Sequence, residues 1–335
     1  MRLLCLLAAA SGCLANTLQG PYIETASADL LQRLQLYASY AAASYCKSNN
    51  DSPGKQLTCY INQTQENSCT DVHEKSHIET IWEFENIEPG DVTGFLAVDK
   101  TRKEIVLAYR GSKSKSNWRT NKKLTLKDWK VICDKCRVHR GFHEAYEAVR
   151  PQLIPELKKA REKYPDYTLV LTGHSLGGAM AAVTATSLRG EADLKELGKD
   201  LVLYTYGSPK VGNPHLIEEI QGHGNKNFRV TKGSDPVPHV PLDAGTRWHF
   251  KQFFPQYHIK GDELKGMVEV EHLQVCMEAK PCHVNWNIQK WQPHGWYFLN
   301  NRLSACSPAV DSSDEKKGSE KEDANPLQPE IPPDR

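Results

Sequence analysis

Thr168-Leu169-Val170-Leu171-Thr172-Gly173-His174-Ser175-Leu176-Gly177-Gly178-Ala179 is the stretch that decides the fold. Thr168 to Leu171 is a short apolar run of strand type. Gly173 to Gly178 is a tight turn, and Ala179 to Leu188 continues as a helix of small residues. A serine at the centre of Gly-x-Ser-x-Gly, between a strand and a helix, projects out of the chain. The turn is sharp, and glycine at both flanks leaves room where the backbone crowds. The following helix points its amide dipole at the same place. A hydroxyl held there is a candidate nucleophile, provided that a base takes its proton.

Two more buried runs follow downstream, Leu201-Val202-Leu203-Tyr204-Thr205-Tyr206 and Phe228-Arg229-Val230-Thr231. Helical patterns separate them, so an α/β fold with a largely parallel sheet is predicted. Upstream, Leu30, Leu34, Tyr37, Ala41 and Tyr45 fall on one helical face, a core stripe. Residues 46–77 are polar and loop-like. Ile81 to Phe84, Val92 to Val98 and Ile105 to Tyr109 read as strands. Residues 111–140 are rich in Lys, Ser and Asn with little helical periodicity. His143 to Tyr164 reads as a helix that Pro151 and Pro155 interrupt.

The base for Ser175 should be a histidine held in its working tautomer by a carboxylate. When the nucleophile sits on such a strand–turn–helix elbow, acid and base follow it in that order. Asp235 lies directly after the run Phe228–Thr231, where a strand's C-terminal end would present it, ahead of Asp243 and Asp262 in later irregular segments. Several histidines follow Ser175. His294 is selected because it opens Gly295-Trp296-Tyr297-Phe298-Leu299, an apolar run able to anchor it. His239, His249, His258, His272 and His283 read as surface or packing residues, and His174 as structural. The oxyanion formed on attack needs donors already aimed at it. The backbone N–H of Leu176 is one, and Ser112, in the loop Tyr109-Arg110-Gly111-Ser112, is the second.

The ends of the chain set its compartment. Arg2, the apolar run Leu3 to Ala10 and the small-x-small site Cys13-Leu14-Ala15 read as a signal peptide at residues 1–15. That run is far short of the ~20 apolar residues of a bilayer span. Of ten cysteines, Cys5 and Cys13 fall within it, which leaves eight, an even number that reads as a disulfide framework. Cys133-Asp134-Lys135-Cys136 is read as a local disulfide over half a zinc site, since Cys276 and Cys282 are too far apart to be its matching second pair. Asn50-Asp51-Ser52 and Asn62-Gln63-Thr64 are possible glycosylation sites. The last 29 residues, from Ser307, hold five prolines and eight acidic residues and read as a disordered tail. Residues 16–306 are thus the folded domain. Charged residues are 25% of the chain and the net charge is +1, which argues against a general nucleic-acid binder.

Several blocks in order carry a family resemblance: Ala42-Ala43-Ser44-Tyr45-Cys46, Asp91 to Ala97, Tyr109 to Ser112, Pro165-Asp166-Tyr167, Thr172 to Gly178, Tyr206 to Asn213, Asp235-Pro236-Val237-Pro238, and His294 to Phe298. From about Leu30 to Cys306 the chain resembles the secreted fungal class 3 lipases, whose sister branch includes feruloyl esterases. The resemblance implies an α/β-hydrolase fold, with a mostly parallel central sheet flanked by helices. It implies a triad of Ser175, Asp235 and His294, an oxyanion hole of Ser112 and Leu176, and no metal or organic cofactor. It also implies the pairings Cys46–Cys306, Cys59–Cys69, Cys133–Cys136 and Cys276–Cys282.

In such lipases a short amphipathic lid follows the oxyanion loop. The matching segment runs from Lys113 to Leu124; it has Trp118 and Leu124 as its only large apolar residues and five positive charges. Little apolar area is then offered to an oil surface, and the charge would steer the chain toward anionic lipid. Gly295 is a further departure, since a bulkier apolar residue is common after the catalytic histidine. The expected activity is that of a secreted, monomeric acylglycerol lipase working on lipid or ester substrate at an oil–water or anionic interface. A feruloyl or acetyl esterase of plant cell walls is the alternative that a polar lid would favour. A catalytically silent lipid-binding protein is the alternative of another class, which the complete set of triad residues disfavours.

Overall fold

The structure is a computed structural model that describes residues 26–50, 53–61, 68–112, 125–223, 226–242, 249–263, 268–278, 282, 284, 286–287, 289–299 and 302–306. Residues 1–15, read as a signal peptide, the segment read as a lid with Lys113, Trp118 and Leu124, the sequon asparagine Asn62, Asp243, His283 and residues 307–335, read as a tail, lie outside the described residues.

In chain order the elements are α1 (Ala28–Ala43), β1 (Ile78–Ile87), β2 (Val92–Asp99), β3 (Glu104–Tyr109), β4 (Leu126–Asp128), β5 (Arg137–His139), α2 (Arg140–Lys163), β6 (Thr168–His174), α3 (Leu176–Gly190), α4 (Lys195–Gly198), β7 (Val202–Tyr206), α5 (Pro214–Gln221), β8 (Asn227–Lys232), β9 (Gln256–Ile259) and β10 (Leu273–Cys276). Among the described residues one eight-stranded sheet has the order β1-β2-β3-β6-β7-β8-β9-β10. The strands from β3 to β9 in that order pair in parallel. The pairs β1–β2, β2–β3 and β9–β10 are antiparallel.

Alternation along the central strands divides the core in two. Leu107, Leu171 and Leu203 point into the layer of α2 and α3. Val106, Val170 and Tyr204 point to the opposite face, where α1 lies. A parallel sheet covered on both faces needs apolar residues at every position, which is why these strands read as continuous apolar runs.

Ser27 starts α1 by accepting a hydrogen bond from the N–H of Leu30 at 3.1 Å. The helix is buried beyond its expected stripe, for Leu36, Ala38 and Tyr40 are enclosed as well. Sheet side chains reach its carbonyls: Tyr206 Oη donates to Leu34 at 2.6 Å and Thr172 Oγ1 to Tyr37 at 3.0 Å.

Two expectations need correction. Pro151 and Pro155 do not interrupt α2, which runs from Arg140 to Lys163 through both. Both prolines are exposed and four residues apart, hence on one solvent face. The opposite face buries Phe142, Tyr146, Val149, Leu153, Leu157 and Ala160. Burying a large apolar side chain contributes ~1.5–3 kcal/mol, so these residues together outweigh ~3 kcal/mol per interior proline. The second correction concerns Asn50, which is buried, with Nδ2 donating to the carbonyl of Ser44 at 3.3 Å. The nitrogen that a glycan would need is enclosed by the fold, so the folded chain offers no acceptor there.

The disulfides join Cys46 to Cys306, Cys59 to Cys69, Cys133 to Cys136 and Cys276 to Cys282. The first spans 260 positions. It ties the end of α1 to the segment that follows His294, and closing so long a loop contributes ~5 kcal/mol in the chain-entropy model.

Candidate active site

Ser175 stands between β6 and α3 with φ 58° and ψ −128°, a left-handed conformation unusual for a residue with a side chain. Its N–H donates to the Tyr206 carbonyl at 2.8 Å, which fastens the elbow to β7. A Cβ at position 173 would lie 2.3 Å from the Gly177 carbonyl group, and one at 177 would lie 2.2 Å from the Tyr109 oxygen. Both glycines are therefore required by close backbone approach. The second contact also brings the start of α3 against the end of β3, and so sets Leu176 beside the loop that carries Ser112.

His294 Nε2 is 2.9 Å from Ser175 Oγ, and His294 Nδ1 is 2.9 Å from Asp235 Oδ2. The structure thus brings together three side chains drawn from the elbow, the loop after β8 and the turn Gln292–Gly295. Asp235 is buried, which disfavours its charge. The His294 charge, hydrogen bonds from His294 and Tyr297, and the N–H of Val237 at 2.9 Å outweigh that and hold its carboxyl below the usual range. Asp262, one of the weaker acid candidates, takes another part. It accepts from Ser234 N–H at 2.6 Å and Ser234 Oγ at 2.7 Å, and so braces the loop that presents Asp235.

Sequence reasoning missed Tyr297. Its hydroxyl donates to Asp235 Oδ2 at 2.5 Å, on the same oxygen that faces His294. A phenol three residues past the base, inside an apolar run, was the available signal. A hydrogen bond to a buried charge is worth ~1.5–3 kcal/mol. Tyr297→Phe is accordingly expected to lower stability by about that amount and ester turnover by about tenfold. Denaturant midpoints and kcat, read on the same preparation, check both.

His174 is structural, as expected, but it also touches the site. Its Nε2 is 2.7 Å from the carbonyl oxygen of His294 and its Nδ1 is 2.9 Å from Tyr45 Oη. A carbonyl only accepts, so Nε2 carries the proton and Nδ1 accepts from the tyrosine. Burial, with the neighbouring His294 charge, pushes its pKa down to about 3. His258, buried against Thr231 Oγ1 at 2.9 Å, is pushed down to about 4 by burial and then by Arg229. Both folded values lie below the unfolded value of ~6.5. Below pH ~6.5 the unfolded chain takes up protons that the folded chain refuses, so stability is full above that pH and falls toward pH 4. Denaturant unfolding between pH 7.5 and 4.5 should show this slope, and His258→Asn should reduce it.

The cavity over Ser175 has a volume of about 400 Å³. Ser112 and Leu176 line it, with Phe142, Val237, Val240 and Trp291 among its walls. The cavity can hold an apolar chain in contact with the serine and the histidine. No helix among the described residues is long and apolar enough to cross a membrane.

Residues 106–245 match the family model described as "Lipase (class 3)". A secreted mono- and diacylglycerol lipase A of Penicillium cyclopium is 35% identical over 275 residues, covering 80% of this chain and 85% of that protein. A secreted mono- and diacylglycerol lipase 1 of Fusarium solani is 34% identical over 246 residues, 73% of this chain and 68% of that protein. The crystal structure of a mono- and diacylglycerol lipase from Aspergillus oryzae superposes with a TM-score of 0.68 at 32% identity, covering 82% of this chain and 98% of that one.

Proposed function

The chain belongs to the class 3 lipase family, and from that premise we propose that Ser175, His294 and Asp235 form its catalytic triad and that it cleaves acylglycerols. The reading rests on the unbroken run of contacts from Asp235 through His294 to Ser175. Ser175 Oγ attacks the ester carbonyl while His294 Nε2 takes its proton. Asp235 accepts from Nδ1–H and keeps Nε2 free to do so. The N–H of Leu176, with the N–H and hydroxyl of Ser112, receives the oxyanion. The alcohol leaves with the proton from His294. Water, deprotonated by the same ring, then releases the fatty acid.

Relatives named as secreted lipases support an extracellular enzyme. In that reading residues 1–15 are the secretion signal and residues 307–335 a solvated tail, and the disulfides suit an oxidising compartment. The enzyme is read as a monomer that works at a lipid surface, with its whole triad supplied by one chain. Emulsified diolein compared with soluble methyl ferulate tests the substrate class. Turnover of the acylglycerol alone is expected; turnover of the ferulate without the acylglycerol would overturn the assignment.

A further inference from the structure

Arg302 stands at the cavity over Ser175, and among the described residues that line it no other side chain carries a permanent charge. A Cβ at position 295, directly after His294, would lie 3.0 Å from Arg302 Nε and 3.7 Å from its Cζ. Glycine there leaves the arginine side chain close against the histidine's own turn, where a Cβ would make it shift by a few tenths of an ångström. Backbone hydrogen bonds hold the segment that carries the arginine against this turn. Leu303 N–H donates to the Gly295 carbonyl at 3.0 Å, and Ala305 N–H to that of Arg302 at 2.9 Å. Cys306, next in the chain, is bonded to Cys46. Arg302 nevertheless remains exposed to solvent. A planar cation is thus presented at the mouth of an apolar cavity and one residue from the base.

We propose that Arg302 is a specificity-determining residue that admits glycerophospholipids to this site by binding the phosphate of the leaving alcohol. Its fork of N–H donors matches two phosphate oxygens at once, and low-dielectric walls strengthen attraction at such a mouth. The chemistry is the ester cleavage described above, on which this inference rests. The acyl C–O bond breaks, the lysophospholipid alcohol leaves with the proton from His294, and water releases the acid. The phosphodiester itself is not cleaved.

The test uses the full secreted chain with dihexanoyl phosphatidylglycerol and dihexanoylglycerol, both below their aggregation limits, so that surface recruitment does not enter. The ratio of their kcat/KM values is the readout. In Arg302→Gln the ratio of phospholipid to neutral lipid should fall about tenfold, carried by KM. Arg302→Lys, which keeps the charge but not the fork, should fall less. An unchanged ratio in both variants, or an equal loss on both substrates, overturns the proposal. So does an unchanged ratio with relief of inhibition by added hexanoate, which would assign the arginine to the released acid. Neutral-lipid turnover by the wild type and covalent labelling of Ser175 report separately on the triad, so the two readings fail distinguishably.

Discussion

Ser175→Ala is expected to lower kcat on acylglycerol by ~10⁵-fold while leaving the fold intact. Without the hydroxyl no acyl-enzyme forms. What remains is binding next to the oxyanion donors, which alone still accelerates hydrolysis by ~10³-fold over water. The loss should not be additive. Ser175→Ala combined with His294→Ala should cost little more than either change alone, because the two groups act in one proton transfer across 2.9 Å. A fluorophosphonate probe followed by mass spectrometry supplies the second readout. The wild type should carry the label at Ser175 and the alanine variant none. Retained activity within tenfold, or label on another serine, would remove Ser175 as nucleophile. Thermal unfolding should change little, since the left-handed backbone at 175 is held by the Tyr206 carbonyl and by the flanking glycines rather than by the hydroxyl.

Asp235→Asn should cost ~10⁴-fold in kcat near neutral pH. The carboxylate accepts at both oxygens: Oδ1 from the Val237 N–H, and Oδ2 from His294 Nδ1–H and from the Tyr297 hydroxyl. An amide has only one accepting end. With its oxygen toward His294, its NH₂ faces the Val237 N–H. With its NH₂ toward His294, the ring must move its proton to Nε2, and it can no longer accept from Ser175. Either arrangement loses the working tautomer or a buried hydrogen bond. The variant should also show a different acid limb of stability. The depressed carboxyl of Asp235 stabilises the wild type above the unfolded value of ~4, and this is lost as pH falls through the lower folded value. Asparagine removes that dependence, so the two stability curves should converge as pH falls below 4. A variant within tenfold of the wild-type rate would show that the carboxylate does not set the histidine tautomer.

The strand, turn and helix around Ser175 were legible in the sequence because a nucleophile elbow is a local object, with its geometry written in a few neighbouring residues. The buried runs of β6, β7 and β8 were legible for a related reason, since two covered faces demand apolar residues at every position. Strands β9 and β10 were not. Each has only four residues, and such segments become strands by pairing with a sheet already formed. The continuity of α2 was misread because proline is a local penalty, whereas the burial that outweighs it comes from the sheet beneath.

The site divides along the same line. Sequence alone singled out Ser175 by its elbow, Asp235 by its place after a buried run, and His294 by the apolar run that it opens. It did not contain their meeting. His294 lies 119 positions from Ser175 and 59 from Asp235, and only the sheet brings their loops to one edge. His174 bonded to the carbonyl of His294, Asp262 bracing the acid loop, Tyr297 on Asp235, and Arg302 resting on Gly295 are likewise contacts between elements. In the sequence Gly295 was only a departure from the family pattern. The tertiary structure shows what faces that position: an arginine side chain from the disulfide-tied end of the domain, 3.0 Å from where a Cβ would lie.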